Sequence, residues 1–103
     1  MSETLNTMIG QKVIIRTYSA GVHFGTLKKK AGNEVILENA RRMFYWQANE
    51  SISLSGVIVS GIDGKKSKIC PPVPSIWLEA IEILPCTDIA AKTIEDAPNV
   101  KAQ

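Results

Sequence analysis

The chain has 103 residues, of which 45% are hydrophobic, and its 12 Lys and Arg against 10 Asp and Glu give a formal net charge of +2. This length predicts one domain with a small core, and such domains often bury apolar surface against copies of themselves. The small charge does not favour a binder of long nucleic acid, which needs a markedly basic face. Since no apolar run is long enough to span a bilayer and no signal segment is recognisable, we expect a cytoplasmic protein that contacts no membrane.

Three segments in the first half predict β-strands, namely residues 12–18, 22–30 and 34–46. They are rich in β-branched and aromatic side chains, and the second alternates between two faces. The turns between them, at residues 20–21 and 31–33, contain glycine, so the strands should form an antiparallel meander. Gly25 falls within the second strand, where a strongly bent sheet needs a small residue.

The segment from residue 47 to residue 64 is compatible with two structures. It can form a short helix starting near Ser51 or a further strand around residues 57–62. After a basic turn, Pro71, Pro72 and Pro74 should occupy neither central ladder positions nor a regular helix, because proline lacks a backbone N–H.

The last part of the chain predicts a strand followed by a helix. Residues 75–84 form the strand, which Pro85 stops, with Trp77, Glu79, Ile81 and Ile83 on one face. Trp77 lies close to several prolines, which is typical of a subunit contact or the edge of a core. Thr87 is a helix N-cap with Asp88 at the positive end, and the helix ends at residues 96–98.

These elements predict a mainly β protein of the α+β class, a strongly bent antiparallel sheet with a short C-terminal helix. We divide the chain into an N-terminal segment at residues 1–9, a ligand-binding domain at residues 10–96 and a flexible tail at residues 97–103. The glycine pattern of the first thirty residues of this domain is similar to the opening of Sm-like barrels, a form of SH3-like small barrel. It differs from them by a Lys-Ala-Gly turn where they carry an acidic residue.

The residues do not predict an enzyme. There is one histidine, His23, and the two cysteines, Cys70 and Cys86, lie in no nucleophile motif. A zinc site needs several ligands at suitable spacing, which this chain lacks, so we expect neither a metal nor a cofactor. Without a secretory signal, both cysteines are predicted to be reduced thiols with packing roles.

The loop TYSAGVHFG is a first candidate for ligand binding. Ser19, Ala20 and Gly21 are small, so the backbone amides of the hairpin tip could approach a phosphate closely. Tyr18 and His23 flank the tip and offer hydrogen bonds and stacking surfaces. The alternative is an ordinary hairpin turn with His23 on its solvent face.

The segment NARRMFYWQ is a second candidate. Strand alternation sends Arg41 and Tyr45 to one face and Arg42 and Trp46 to the other, so each face carries a guanidinium and an aromatic ring. A guanidinium beside a ring can hold a phosphate next to a stacked base. The alternative is that the rings are core and that Arg41 pairs with Glu34 or Glu38.

Three blocks of the sequence carry a family resemblance: VIIRTYSAGVHFGTL, NARRMFYW and EAIEILPCT. Between Gly10 and about Ile94 they resemble a family of small bacteriophage proteins in which VxVRTYSAGVxxG, ARRxxYW and EVIEIxPCT recur. This family resembles the Thoeris anti-defence sponges, which sequester cyclic nucleotide immune signals without cleaving them. Here ESISLSGVIVSGIDG replaces a more polar segment of the family.

The resemblance implies a β-sheet protein that assembles through dimers into a hexamer in the infected bacterial host. It also implies binding of cyclic ADP-ribose isomers and, at separate sites, of cyclic oligonucleotides. The implied ligand contacts are Arg16, Ser19, Ala20, Gly21 and His23 in the first block, and Arg41, Arg42, Tyr45 and Trp46 in the second. The alternatives are an Sm-like protein that binds single-stranded RNA, or a structural or interaction protein of the virion.

Overall fold

The computed structural model describes residues 8–49 and 53–100 and confirms a mainly β protein with short helices. The elements in chain order are β1 (Lys12–Thr17), β2 (Val22–Ala31), β3 (Glu34–Tyr45), α1 (Leu54–Ser60), β4 (Lys68–Ile69), β5 (Val73–Pro85) and α2 (Asp88–Glu95). The predicted meander is present, because β1 pairs with β2 and β2 pairs with β3, both antiparallel. Neither described helix is long and apolar enough to cross a membrane.

The sheet bends until it closes into a small barrel. The strand order is β2-β1-β5-β3-β4, and an additional pairing joins β2 to β3, so four strands form a ring with β4 at one edge. The ladder between β2 and β3 changes register between Phe24 and Thr26. Gly25 lies at this irregularity, where a side-chain Cβ would come within 3.0 Å of the Glu38 carbonyl oxygen. Any larger residue would therefore have to push the backbone of β3 away at this point of the bent strand.

Two apolar clusters lie on opposite faces of the bent sheet. The inner cluster consists of Val13, Ile15, Leu27, Val35, Leu37, Ala40, Leu78 and Ala80. The outer cluster consists of Ile14, Phe24, Met43, Ala48, Val57, Ile62, Ile69, Leu84, Ala91, Ile94 and Ala97. Consecutive residues of β1 alternate between the clusters and are fully buried, which explains why this strand is an uninterrupted apolar run. The outer cluster packs the two helices against one side of the barrel.

Of the two structures predicted for the segment after β3, a helix or a strand, the helix is present. Helix α1 spans Leu54–Ser60 and begins after Ser53, whose side chain accepts a hydrogen bond from the Gly56 amide. Val57 is fully buried in the outer cluster. Ser51, near which we predicted the helix to start, lies outside the described residues.

The last strand is longer than predicted, because β5 begins at Val73 and includes Pro74 and Pro85. Pro74 lies within this strand, but it takes no ladder position, as predicted. The ladder with β3 pairs Val73 with Ala40 and Ser75 with Glu38 but contains no pair at Pro74, so the missing N–H is tolerated. The predicted faces hold as far as Ala80, since Trp77 is exposed whereas Leu78 and Ala80 are buried in the inner cluster. The ladder with β1 then shifts register between Arg16 and Thr17, and the faces reverse, because Ile83 packs against the inner cluster and Leu84 lies in the outer one.

The C-terminal helix has the predicted N-cap. The Thr87 side chain accepts a hydrogen bond from the Ala90 amide at 3.1 Å, and the helix ends at Glu95. The packed chain extends beyond residue 96, where we placed the start of a flexible tail. Ala97 is buried in the outer cluster, and the Val100 amide donates to the carbonyl oxygen of Ile69. Residues 101–103 lie outside the described residues.

Both cysteines are free, as predicted. Cys86 packs against the outer cluster, and burial raises the pKa of its thiol to about 12. Because a thiol is nucleophilic only when it is deprotonated, Cys86 has the packing role that we expected.

Candidate functional site

The adjacent residues Arg41 and Arg42 lie in opposite environments. Arg41 is only 4% exposed, and all three of its guanidinium nitrogens donate hydrogen bonds. The acceptors are the carbonyl oxygens of Ile69, Cys70, Ile94, Glu95 and Ala97 and the side-chain oxygen of Asn99, at 2.7 to 3.3 Å. Arg41 thus ties β3 and β4 to the C-terminal end of α2, where helix carbonyls lack intrahelical partners.

Both interpretations of Arg41 from the sequence need correction. The residue faces the interior, so no guanidinium nitrogen is left for a ligand. It also pairs with neither Glu34 nor Glu38, because Glu34 accepts a hydrogen bond from Trp77 and Glu38 forms an ion pair with Lys28. Alternation along a strand predicts a face, but it does not show that a helix end covers that face.

Arg42 is exposed and lies at the β1–β2 hairpin tip. It faces His23 across the ladder between β2 and β3, and its Nη1 donates to the carbonyl oxygen of Ala20 at 2.9 Å. Gly21 adopts φ 87°, and a Cβ there would lie 3.9 Å from the same Nη1. None of the ion pairs among the described residues includes Arg42. Its charge is therefore available to an anion from solvent.

The hairpin tip is held by Thr17. Its hydroxyl donates to the carbonyl oxygen of Gly21 and accepts from the Ala20 amide, each at 2.8 Å. The Ala20 amide, which we predicted to contact a ligand, is therefore occupied within the tip. Ser19 and Gly21 are exposed, and within residues 8–49 and 53–100 their amides have no hydrogen-bond partner.

His23 lies in the interior, contrary to the interpretation that placed it on the solvent face. Its side chain is about 1% exposed, and its Nε2 lies 2.9 Å from the carbonyl oxygen of Ala20. Burial lowers the pKa of His23, the hydrogen bond to Ala20 raises it, and the charge of Arg42 lowers it further. Since a carbonyl oxygen only accepts, Nε2 carries the proton of the neutral ring.

A cavity of about 150 Å³ joins these groups. Its lining residues are His23, Ala40, Arg42, Cys70, Pro71, Val73 and Ile76. The cavity brings together two of the predicted ligand contacts, Arg42 and His23, with Ala20 bonded to both of them. The wall from Cys70 to Val73 was not predicted, and no local pattern pointed to it.

The other predicted contacts do not line this cavity. Arg16 donates to Glu82 at 2.8 Å, and Trp46 is partly buried against the outer cluster. Tyr45 is about half exposed and faces Lys68 of β4. Two aromatic residues outside our predicted contact set are the most exposed, Tyr18 at 90% and Phe44 at 72%.

Comparison with known proteins identifies a family. Residues 10–94 match the model of DUF6948, a domain of unknown function. No curated protein and no solved structure matches the chain. Because the matched segment covers most of the 103 residues, this chain belongs to the DUF6948 family of domains of unknown function.

Proposed function

We propose that this protein binds a cyclic nucleotide without cleaving it and sequesters this immune signal for a phage in the cytoplasm of the infected bacterium. The proposal rests on the surroundings of Arg42. Its guanidinium is exposed, lines the cavity and has no carboxylate partner among the described residues. The ligand classes are those that the resemblance implies, cyclic ADP-ribose isomers and cyclic oligonucleotides.

Each group near Arg42 has a part in this proposal. The guanidinium would hold a phosphate, a contact worth roughly 1.5 to 3 kcal/mol. The exposed amides of Ser19 and Gly21 are further donors for phosphate oxygens. Tyr18 and Phe44 are exposed rings on the tip and on β3, and stacking of a base on such a ring contributes about 1 to 3 kcal/mol. These contacts suffice for binding and supply no activated nucleophile.

The test is native mass spectrometry of the purified protein after incubation with a mixture of cyclic dinucleotides, cyclic trinucleotides and cyclic ADP-ribose isomers. We expect one of these to remain bound with its mass unchanged and to be released intact on denaturation. Recovery of a hydrolysed product would contradict sequestration. In a parallel incubation with a single-stranded oligoribonucleotide, retention of the RNA but of no cyclic nucleotide would support the Sm-like alternative instead.

A separate surface supports the proposal of self-association. Trp77 is 68% exposed on β5, in line with the exposed Val73 and Ile81, and Ile36 faces it from β3. Beside Trp77 lies a hollow of about 670 Å³, whose lining includes Lys28, Lys29 and Lys30 as well as Glu34. A two-fold axis at this face would bring the lysines of one copy to the glutamates of the other. We therefore assign the face to a second copy of the chain.

Replacing Trp77 by glutamate should produce monomers. Central aromatic residues of interfaces often contribute about 2 kcal/mol or more, and the new charge would oppose Glu34 and Glu79. Light scattering coupled to size-exclusion chromatography measures the mass. Ile89→Glu changes an equally exposed apolar residue on α2 and should leave the assembly intact. A monomeric wild-type protein, or an unchanged mass for Trp77→Glu, would refute the assignment.

A further inference from the structure

The buried imidazole of His23 has one nitrogen without a partner. The Nε2–H group donates to Ala20, whereas Nδ1 makes no hydrogen bond to any described residue. Buried polar atoms nearly always have a partner in the protein, in water or in a ligand. In this tautomer Nδ1 is a pure acceptor. The missing partner is therefore a hydrogen-bond donor.

The cavity that His23 lines admits only part of a nucleotide. Its volume of about 150 Å³ compares with the roughly 300 to 1,000 Å³ of pockets that enclose whole ligands. At about 30 Å³ per water molecule, it equals the volume of about five waters. A ribose ring, or a phosphate group together with a neighbouring hydroxyl group, fits this volume. A complete nucleotide does not.

The polar side chains of the cavity require two different features of a ligand. Arg42 only donates hydrogen bonds and carries a positive charge, so its counterpart is an anionic oxygen. His23 accepts at Nδ1, so its counterpart is a hydroxyl or N–H group. The two residues face each other across the ladder and share the carbonyl oxygen of Ala20, so these two ligand features must lie close together.

In a ribonucleotide, the 2′-hydroxyl group lies beside the 3′-phosphate. We propose that Nδ1 of His23 accepts a hydrogen bond from a ribose hydroxyl whose neighbouring phosphate is held by Arg42, so that the site selects ribonucleotides over deoxyribonucleotides. This inference rests on the proposed function and adds the residue that determines sugar specificity. A 2′-deoxy ligand would leave the buried acceptor unpaired, or would leave a water molecule trapped against it.

The test compares each ribose ligand with its 2′-deoxy counterpart by isothermal titration calorimetry. The probes are cyclic di-AMP and cyclic di-GMP, whose 3′–5′ linkages each place a 2′-hydroxyl group beside a phosphate. We expect the wild-type protein to bind at least one of them about tenfold or more tightly than the deoxy form. Equal affinities for both members of each pair that binds would overturn the inference, because water then serves Nδ1 equally well.

Two variants of His23 test the roles of Nε2 and Nδ1 separately. His23→Gln keeps an amide N–H near the position of Nε2, so it can still donate to Ala20, but it has no acceptor at the position of Nδ1. His23→Asn places its amide oxygen near Nδ1 and loses the contact with Ala20. We expect the preference for ribose to disappear in His23→Gln and to persist in His23→Asn. Circular dichroism checks that both variants are folded.

The outcomes distinguish this inference from the proposed function. If His23→Gln retains the preference for ribose, the acceptor lies elsewhere and the inference fails, while nucleotide binding stands. If native mass spectrometry shows that the wild-type protein retains a cyclic nucleotide other than the probes and neither probe binds, the inference alone fails. If the protein retains no cyclic nucleotide, the proposed function fails, and the inference fails with it.

Discussion

Replacing Arg41 by alanine should lower the free energy of unfolding by about 3 to 5 kcal/mol. The change removes hydrogen bonds from a charged group to five carbonyl oxygens and one side-chain oxygen, several of which are buried. It also leaves a void between β3 and the end of α2. Since small domains are stable by about 5 to 15 kcal/mol, this loss is a large share of the total. Urea denaturation followed by circular dichroism measures it.

Arg42→Ala is the matched control for this prediction. It changes the same residue type at the next position, but Arg42 is exposed, and its side chain makes one hydrogen bond within residues 8–49 and 53–100, to Ala20. We expect a loss of about 1 kcal/mol or less. Arg41→Lys should recover only part of the stability, because an ammonium group cannot match the planar donors of a guanidinium. Equal losses for Arg41→Ala and Arg42→Ala would contradict the role of Arg41.

Replacing Arg42 by glutamate should weaken nucleotide binding by about a hundredfold or more, with little change in stability. Loss of a charge-assisted phosphate contact costs roughly 1.5 to 3 kcal/mol, which corresponds to about 10-fold to 100-fold in affinity. The new carboxylate adds repulsion of the phosphate. Isothermal titration calorimetry measures the affinity for the ligand that native mass spectrometry identifies.

Arg16→Glu is the control for the charge reversal. Arg16 is exposed, but its guanidinium is already paired with Glu82 and does not line the cavity. We expect a smaller loss of affinity than for Arg42→Glu. A similar loss in both variants would indicate a general effect of charge rather than a contact of Arg42.

The affinity of the wild-type protein should depend weakly on salt, because one or two phosphates release few counterions, whereas long RNA releases many.

The strands and the last helix could be predicted from the sequence because their signals are local. Residues 12–18 carry β-branched side chains, and β1 forms there; Thr87 is an N-cap, and α2 begins at the next residue. Alternation predicted the faces of β5 correctly as far as Ala80, but the register shift against β1 reverses them beyond that residue, and local sequence does not indicate such a shift. The prediction that Pro74 takes no ladder position also agrees with the structure, because the register of β3 with β5 skips that residue.

The candidate site was predicted in part. Residue type and spacing singled out the hairpin tip and Arg42 as candidates, and the structure brings them into contact. The cavity wall from Cys70 to Val73 comes from a distant part of the chain, and local sequence patterns do not indicate which distant segments will be in contact.

The sequence by itself determined the mainly β class, the meander of the first three strands and the presence of two neighbouring guanidinium groups. Only the tertiary structure decided that Arg41 is a buried support and Arg42 an exposed charge, and that His23 is enclosed. The physical reason is that a side chain's role depends on what covers it. The helix end that engages Arg41 lies 53 residues further along the chain and reaches it only when the barrel closes.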